Sequence, residues 1–373
     1  GGTQTITGAG NTVRWFRIQA TTANTILLST TGGSSDLLLG NATSGGVILI
    51  SGSVLNMNGN DLTFFPGGTT AFSLSTGTIS VSPTTDFTLN KTNSGSLGTI
   101  NFTPGSNTMG SLTLNHTGSP TNTLTIGNDV DLQGDLTISA GQLVVGALDK
   151  FTLNGVLNNN GVLTIENGAT LVQGASSTLA SGATGTYNVK QTITGGNNGN
   201  SPNGRFWYLG SPVSGGLSSI LDAAGANIVK YWDEQSAAWI EITDNTSALT
   251  VGRGHYLRSN TPGNHDLTFT GGSLNNGAYT FNLTANGSSF NGFNLVSNPY
   301  ASYLKWNDVT KTNVGSTIWY RTSNGANNMV FDTYNSNGNV GTSNNGNGTV
   351  SQFIPPMQAF WVRVEGSSTG SIA

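Results

Sequence analysis

Apolar and polar residues alternate in short runs through the first half of the chain, and the runs recur at a nearly constant interval. Leu37-Leu38-Leu39, Leu62-Thr63-Phe64, Phe87-Thr88-Leu89, Leu112-Thr113-Leu114, Leu136-Thr137-Ile138 and Leu163-Thr164-Ile165 start 25, 25, 25, 24 and 27 residues apart. About ten residues later several units carry a second apolar stretch, as in Val47–Ile50, Phe72-Ser73-Leu74 and Leu97 to Ile100. A third often follows, as in Val54-Leu55, Ile79-Ser80-Val81, Val130-Asp131-Leu132 and Phe151-Thr152-Leu153. Alternation with a period of two is the pattern of a strand with one buried face. Three short strands in ~25 residues make one coil of a parallel β-helix, whereas a propeller blade needs four strands and usually a longer period. The Leu/Asn consensus and helical segments of leucine-rich repeats are missing. One coil has no core of its own, so the coils must stack. Leu37, Leu62, Phe87, Leu112, Leu136 and Leu163 are expected in one inward column. Six coils at the strand spacing would form a rod of roughly 30 Å.

The alphabet then changes. All nine Tyr lie from Tyr187 onward and six of the seven Trp from Trp207 onward, with only Trp15 earlier. Thr194–Gly204 (TGGNNGNSPNG) marks the change and reads as a linker or long turn. The expected organisation is a parallel β-solenoid over residues 1–194, a linker or turn over 195–204, and an aromatic-rich antiparallel β-sandwich over 205–373. Candidate strands of the sandwich are Arg205–Leu209, Ile228–Trp232, Trp239–Ile242, His255–Arg258, Asp266–Phe269, Ala278–Leu283, Gly292–Val296, Thr317–Arg321 and Phe360–Val364. Asn276-Gly277, Asn286-Gly287, Asn324-Gly325 and Asn337-Gly338 are turn signals between them. One short helix is expected around Leu217–Ala223.

Composition narrows the class. Charged residues make up 8% of the chain, far below the usual quarter, and the net charge is −4. Low hydrophobicity without high net charge favours a folded chain over a disordered one. With 53 Gly and abundant Asn, Thr and Ser, the surface is built from neutral amides, hydroxyls and turns. That is the habit of extracellular β-proteins. The absence of cysteine excludes disulfides, thiolate catalysis and zinc–thiolate sites. No apolar run reaches membrane-spanning length, and Gly1-Gly2-Thr3 does not open a signal peptide. Thirteen dispersed Lys and Arg leave no nucleic-acid footprint.

The second half also resembles a known group. GRFWYLGSPVSGG (Gly204–Gly216), KYWDE (Lys230–Glu234), VGRGHYLR (Val251–Arg258), GFNLVSNPYAS (Gly292–Ser302), IWYR (Ile318–Arg321) and IPPMQAFWVRV (Ile354–Val364) occur in order. Together they look like a region common in large secreted Bacteroidota surface proteins, where it precedes a C-terminal sorting domain read by the type IX secretion system. The resemblance covers roughly residues 200–365. It implies an extracellular location, a β-sandwich and no enzymatic activity. The chain stops at Ala373 without the sorting domain, which leaves the mode of surface attachment open.

Candidate chemistry is sparse. His116, His255 and His265 show no metal spacing, and no G-x-S-x-G elbow or P-loop occurs. His116 follows a solenoid strand and reads as a surface turn, while His255 and His265 flank a turn and could meet in space. Seventeen carboxylates could supply a polysaccharide lyase or hydrolase pair, but coils of nearly uniform length build no cleft. Before Arg205 the only arginines are Arg14 and Arg17, and Lys91, Lys150 and Lys190 are scattered. Asp36, Asp61 and Asp86, resumed at Asp135, form a ladder in the repeat. It reads as corner carboxylates accepting backbone N–H bonds, with bound Ca²⁺ as the alternative. No catalytic, cofactor-binding or metal-ligating residue is assigned. The aromatics of the second half (Trp207, Tyr208, Tyr231, Trp232, Trp239, Tyr256, Trp306, Trp319, Tyr320 and Trp361) divide between core and a sugar-stacking platform, since strand alternation sends neighbouring rings to opposite faces. The expected function is that of an extracellular structural or adhesive surface protein, the subunit of a fibre, filament or sheath. Its partners would be copies of itself, joined head to tail, or surface glycans. The alternatives are a carbohydrate-binding module of a polysaccharide-processing protein and, behind it, a β-helix lyase or hydrolase.

Overall fold

The computed structural model describes residues 3–7, 13–15, 17–20, 25–29, 36–40, 47–66, 72–73, 76–118, 123–196, 205–222, 226–286, 291–323, 329–344, 346 and 348–373. The chain divides into two compact units, Gly1–Asn188 and Val189–Ala373. Of the turn expected over 195–204, Gly195 ends a strand begun at Thr186, and residues 197–204 lie outside the described residues. Leu74, Gly287, the Asn324-Gly325 turn, the side chain of Trp15 and most of Gly1–Gly10 lie outside them as well. The expected helix is confined to Ser219–Asp222, and Ala223 is not among the described residues.

The first unit is a parallel β-solenoid of about six turns. One wall stacks Val13–Trp15, Leu37–Leu39, Leu62–Phe64, Phe87–Lys91, Leu112–His116, Leu136–Ala140, Val156–Asn159 and Thr178–Leu179. A second wall runs through Arg17–Ala20, Val47–Ile50, Phe72–Ser73, Gly98–Ile100, Thr123–Ile126, Gln142–Val145 and Val162–Ile165. Two four-stranded sheets complete the coils: Thr3–Thr7, Thr25–Ser29, Val54–Asn56 and Thr78–Ser80, then Thr108–Met109, Val130–Leu132, Lys150–Leu153 and Thr170–Gln173.

In the first wall Leu37, Leu62, Phe87, Leu112 and Leu136 pair in sequence and form one buried column. The sixth member is Leu157, not Leu163. Leu163 pairs with Leu143 in the second wall instead. The cause is a shortened coil, 21 residues from Leu136 to Leu157 against 24 from Leu112 to Leu136. Six positions of the sequence separate the strand Leu112–His116 from Thr123–Ile126, whereas Gly141 alone turns the chain between Leu136–Ala140 and Gln142–Val145. Gly141 holds a φ of +87°, and a Cβ there would stand 2.6 Å from the His116 Cβ. Only glycine meets both demands. The apolar triplet at 163–165 therefore arrives one wall later than a constant period implies.

The second unit carries two main antiparallel sheets that fit a sandwich. The first orders Arg205–Leu209, His255–Ser259, Ala226–Asp233 and Ala238–Glu241. The second orders Phe293–Ser297, Ala359–Arg363, Thr317–Ser323, Met329–Asn335 and Val340–Thr342. One face of the second sheet buries Val296, Ile318, Tyr334, Phe360 and Val362 in a core around Trp306. Alternation turns Phe293, Trp319, Arg321 and Trp361 to the other face. The two sheets are tied along one side, by bridges from Leu209 to Gln358 and from Arg253 to Val296. Gly210 N–H donates to the Met357 carbonyl at 2.8 Å, and Gly254 N–H to that of Leu295 at 3.1 Å. A Cβ on Gly254 would lie 2.6 Å from Leu295 Cγ and 2.9 Å from Ala359 Cβ, so the approach needs a residue without a side chain.

Candidate functional site

Beyond that tie, the facing sides of the two sheets leave a cavity of about 660 Å³ within the second unit. The first sheet contributes Tyr208, Ile228, Lys230, Trp232, Trp239 and Tyr256 to its lining. The second contributes Phe293, Trp319, Arg321, Met329, Phe331 and Trp361. The rings brace one another edge to face. Trp232 and Trp239 lie 5.5 Å apart between centroids, Trp239 and Trp361 5.8 Å, and Phe293 and Trp319 5.2 Å. Such geometry sets the negative ring face against the positive edge, the arrangement aromatic pairs prefer. The Trp361 Nε1–H is buried away from solvent and has no hydrogen-bond partner among the described residues.

Cations border these rings. The Arg321 guanidinium lies over Phe206 at 4.6 Å and over Tyr208 at 5.7 Å from the centroids. That of Arg363 lies over Phe293 at 5.3 Å. Lys230 pairs across the strands with Glu241 at 3.2 Å. Burial pushes the Tyr256 hydroxyl above its usual range, while the charges of Arg321 and Arg258 pull it back. The two guanidiniums therefore both act on the same ring.

The aromatic pairs divide as alternation predicts. Trp319 lines the cavity, while Tyr320 packs with the core on the opposite face, where burial drives its hydroxyl far above the usual range. Trp232 lines the cavity, and Tyr231 lies beneath the Arg253 guanidinium at 4.4 Å. Trp207 donates its Nε1–H to the Thr194 carbonyl at 2.9 Å, and fully buried Trp306 donates to Ser316 at 2.8 Å. These two are structural rings. The sequence offered no warning of Ile228, Phe293, Met329 or Phe331 as lining residues. The cations did carry a signal: Lys230-x-Trp232, Tyr256-x-Arg258, Trp319-x-Arg321 and Trp361-x-Arg363 each put a ring and a positive charge on one strand face.

The other candidates resolve differently. The aspartate ladder caps backbone: Asp36 Oδ1 accepts the N–H of Asp61 at 3.1 Å, and Asp86 Oδ1 that of Ser111 at 2.6 Å. Ser111 Oγ takes the N–H of Asp135 at 3.1 Å, and Asp135 Oδ1 that of Val156 at 2.8 Å. His116 is not in a surface turn. It ends the five-residue strand Leu112–His116 and is 1% exposed, because the extra two residues carry the alternation to another inward position. Its Nε2 lies 3.2 Å from the Asn93 carbonyl. His255 and His265 are not brought into one site: His255 is buried, whereas half-buried His265 donates Nε2–H to the Thr261 carbonyl at 2.8 Å. Among the described residues no group of three or more His, Asp and Glu side chains is placed to hold a metal ion, and no helix is long and apolar enough to cross a membrane.

A model of a domain of unknown function, DUF8693, matches residues 113–373. The chain belongs to this family. The DUF8693 region begins inside the strand Leu112–His116, and it includes the last coils of the solenoid and all of the second unit with its cavity. No curated protein and no solved structure matches the chain.

Proposed function

We propose that this protein is a non-catalytic adhesive element of the cell exterior, with a stacked rod as its structural part and the second unit as its binding part. The observation that carries this reading is the cavity, whose lining is ten apolar or aromatic side chains and two cations. Aromatic walls with few placed polar groups are the usual form of a binding site. An exterior location draws on the low charge and the surface of amides and hydroxyls, and on the resemblance to secreted Bacteroidota proteins. The rod draws on in-register stacking. Thr63, Thr88, Thr113 and Thr137 form an uncharged outward ladder, so this face of the stack adds no charge repulsion between coils. Repetition of the chain in a fibre or sheath belongs to the same proposal. A second reading, a carbohydrate-binding module, is favoured by the same tryptophans, whose faces could stack on sugar rings.

The test is retention of bead-bound protein under flow, on surfaces coated with polysaccharides, matrix proteins or the chain itself. Retention on at least one surface, lost on Trp361→Ala, is expected. Retention at the level of bare beads on all of them would overturn the adhesive reading. Release of reducing or unsaturated sugar ends by the purified protein would overturn its non-catalytic part.

A further inference from the structure

We propose that the cavity of the second unit binds an organic anion with a flat apolar body, of the class of aromatic carboxylates, with the rings holding the body and Arg321 and Lys230 facing the acid group. The inference rests on the reading of this unit as a binding module and names its ligand chemistry.

Three observations lead to that class. The first is polarity. The lining includes no carboxylate, amide or aliphatic hydroxyl, and its polar atoms are those of two cations, two tyrosines and the indole N–H groups. A sugar entering such a space would give up water at every hydroxyl and find few partners in return, whereas a planar hydrocarbon loses nothing. The second is size. About 660 Å³ between two ringed walls accommodates a one- or two-ring molecule, within the ordinary range for small-ligand pockets.

The third observation is the sign and posture of the charge. The chain as a whole is negative, at −4, yet the faces that meet at this cavity bear Lys230, Arg258, Arg321 and Arg363. Their one acidic neighbour on these faces, Glu241, is occupied with Lys230. Arg321 has no carboxylate partner among the described residues. Its guanidinium spends its flat face on Phe206 and Tyr208, and stacking of that kind leaves the N–H edge free for a carboxylate. Aromatic boxes elsewhere capture quaternary ammonium ions, but here a cationic ligand would meet unneutralised positive charge. An anion meets the opposite.

The experiment is calorimetric titration of the whole chain with 2-naphthoate, with 2-naphthalenemethanol as the uncharged match in shape, and with trigalacturonate as an acidic sugar. Naphthoate is expected to bind at least about tenfold more tightly than the alcohol, the scale of a charge-assisted bond gained. Arg321→Met should bring naphthoate to within about threefold of the alcohol while leaving the alcohol's affinity unchanged. Lys230→Met, checked like the first variant by near-ultraviolet circular dichroism, should reduce naphthoate binding in the same direction. Equal binding of acid and alcohol would overturn the role of the cations. Binding of trigalacturonate without naphthoate would overturn the ligand class and leave the binding function standing. If neither binds while beads are retained in the flow assay, this cavity is not the site.

Discussion

The carboxylate of Asp61 accepts the backbone N–H of Asp86, 25 residues along and one coil away, at 2.8 Å. Side chain and backbone thus tie adjacent coils at a corner where the strand ladder has not yet begun. The arrangement sets like charges close together. Burial, followed by the charges of Asp36 and Asp86, raises the Asp61 pKa, and the Asp86 N–H only partly offsets this. A carboxyl whose folded pKa exceeds its unfolded value binds protons more readily in the native state. Its ionisation then costs stability, and the cost disappears as pH falls through the raised value. Asp61→Asn keeps the acceptor and removes the charge, so it should match or exceed the parent in urea unfolding at pH 7. Asp61→Ala should lose about 1 kcal/mol.

The column through Leu112 predicts a steeper effect. Leu112 is 1% exposed, with Phe87 and Leu136 on either side in the stack. Leu112→Asp buries an unpaired charge and should cost more than about 4 kcal/mol or prevent folding. Leu148 offers the opposite case, 81% exposed and held at a φ of +71°. Leu148→Asn should raise the melting temperature, since asparagine tolerates the left-handed region that leucine resists.

Gly254 sits where the two sheets of the second unit approach. Gly254→Ala should destabilise by about 1–3 kcal/mol, the scale of overpacking, because Leu295 and Ala359 occupy the space its Cβ requires. Thermal unfolding of the variant checks this, and Gly272→Ala is the control, with open space around the added methyl.

Acid should weaken the protein through His255. Burial, then the charge of Arg253, lowers its pKa from 6.5 to about 4. The unfolded chain therefore binds this proton between those values while the folded chain does not, and stability falls as pH drops through that window. The loss attributable to this ring approaches about 3 kcal/mol at pH 4. His255→Gln should flatten the decline from pH 6.5 to 4 in chemical unfolding. An unchanged slope would show that the buried ring remains charged or escapes burial.

Much of the fold was legible in the chain. The Leu–Thr–Leu triplets are inward–outward–inward strands, and their 25-residue spacing is the circumference of a coil. The burst of Tyr and Trp after residue 187 marks a different architecture with two ring-bearing sheets. The candidate site was half legible. Alternation separates Trp319 from Tyr320 and sets Arg321 beside Trp319, but it leaves open which face meets an opposing sheet and which meets a core.

What the sequence determined by itself is local periodicity, because a strand exposes alternate residues whatever lies around it. It thereby settled the strands and the recurrence of coils, and it offered corner caps as one of two readings of the aspartate ladder. Tertiary structure alone decided the wall to which Leu163 belongs. The triplets of both walls are equally apolar, and a one-residue corner at Gly141 shifts the register without altering the pattern. It also decided the burial of His116, since a strand's length is set by its neighbours in the stack. The cavity is the plainest case. Residues from eight strands, 208 to 361 in the chain, line one space because Gly210 and Gly254 let two sheets close along one side. Contacts across that distance follow from the packing of whole sheets, which no local pattern records.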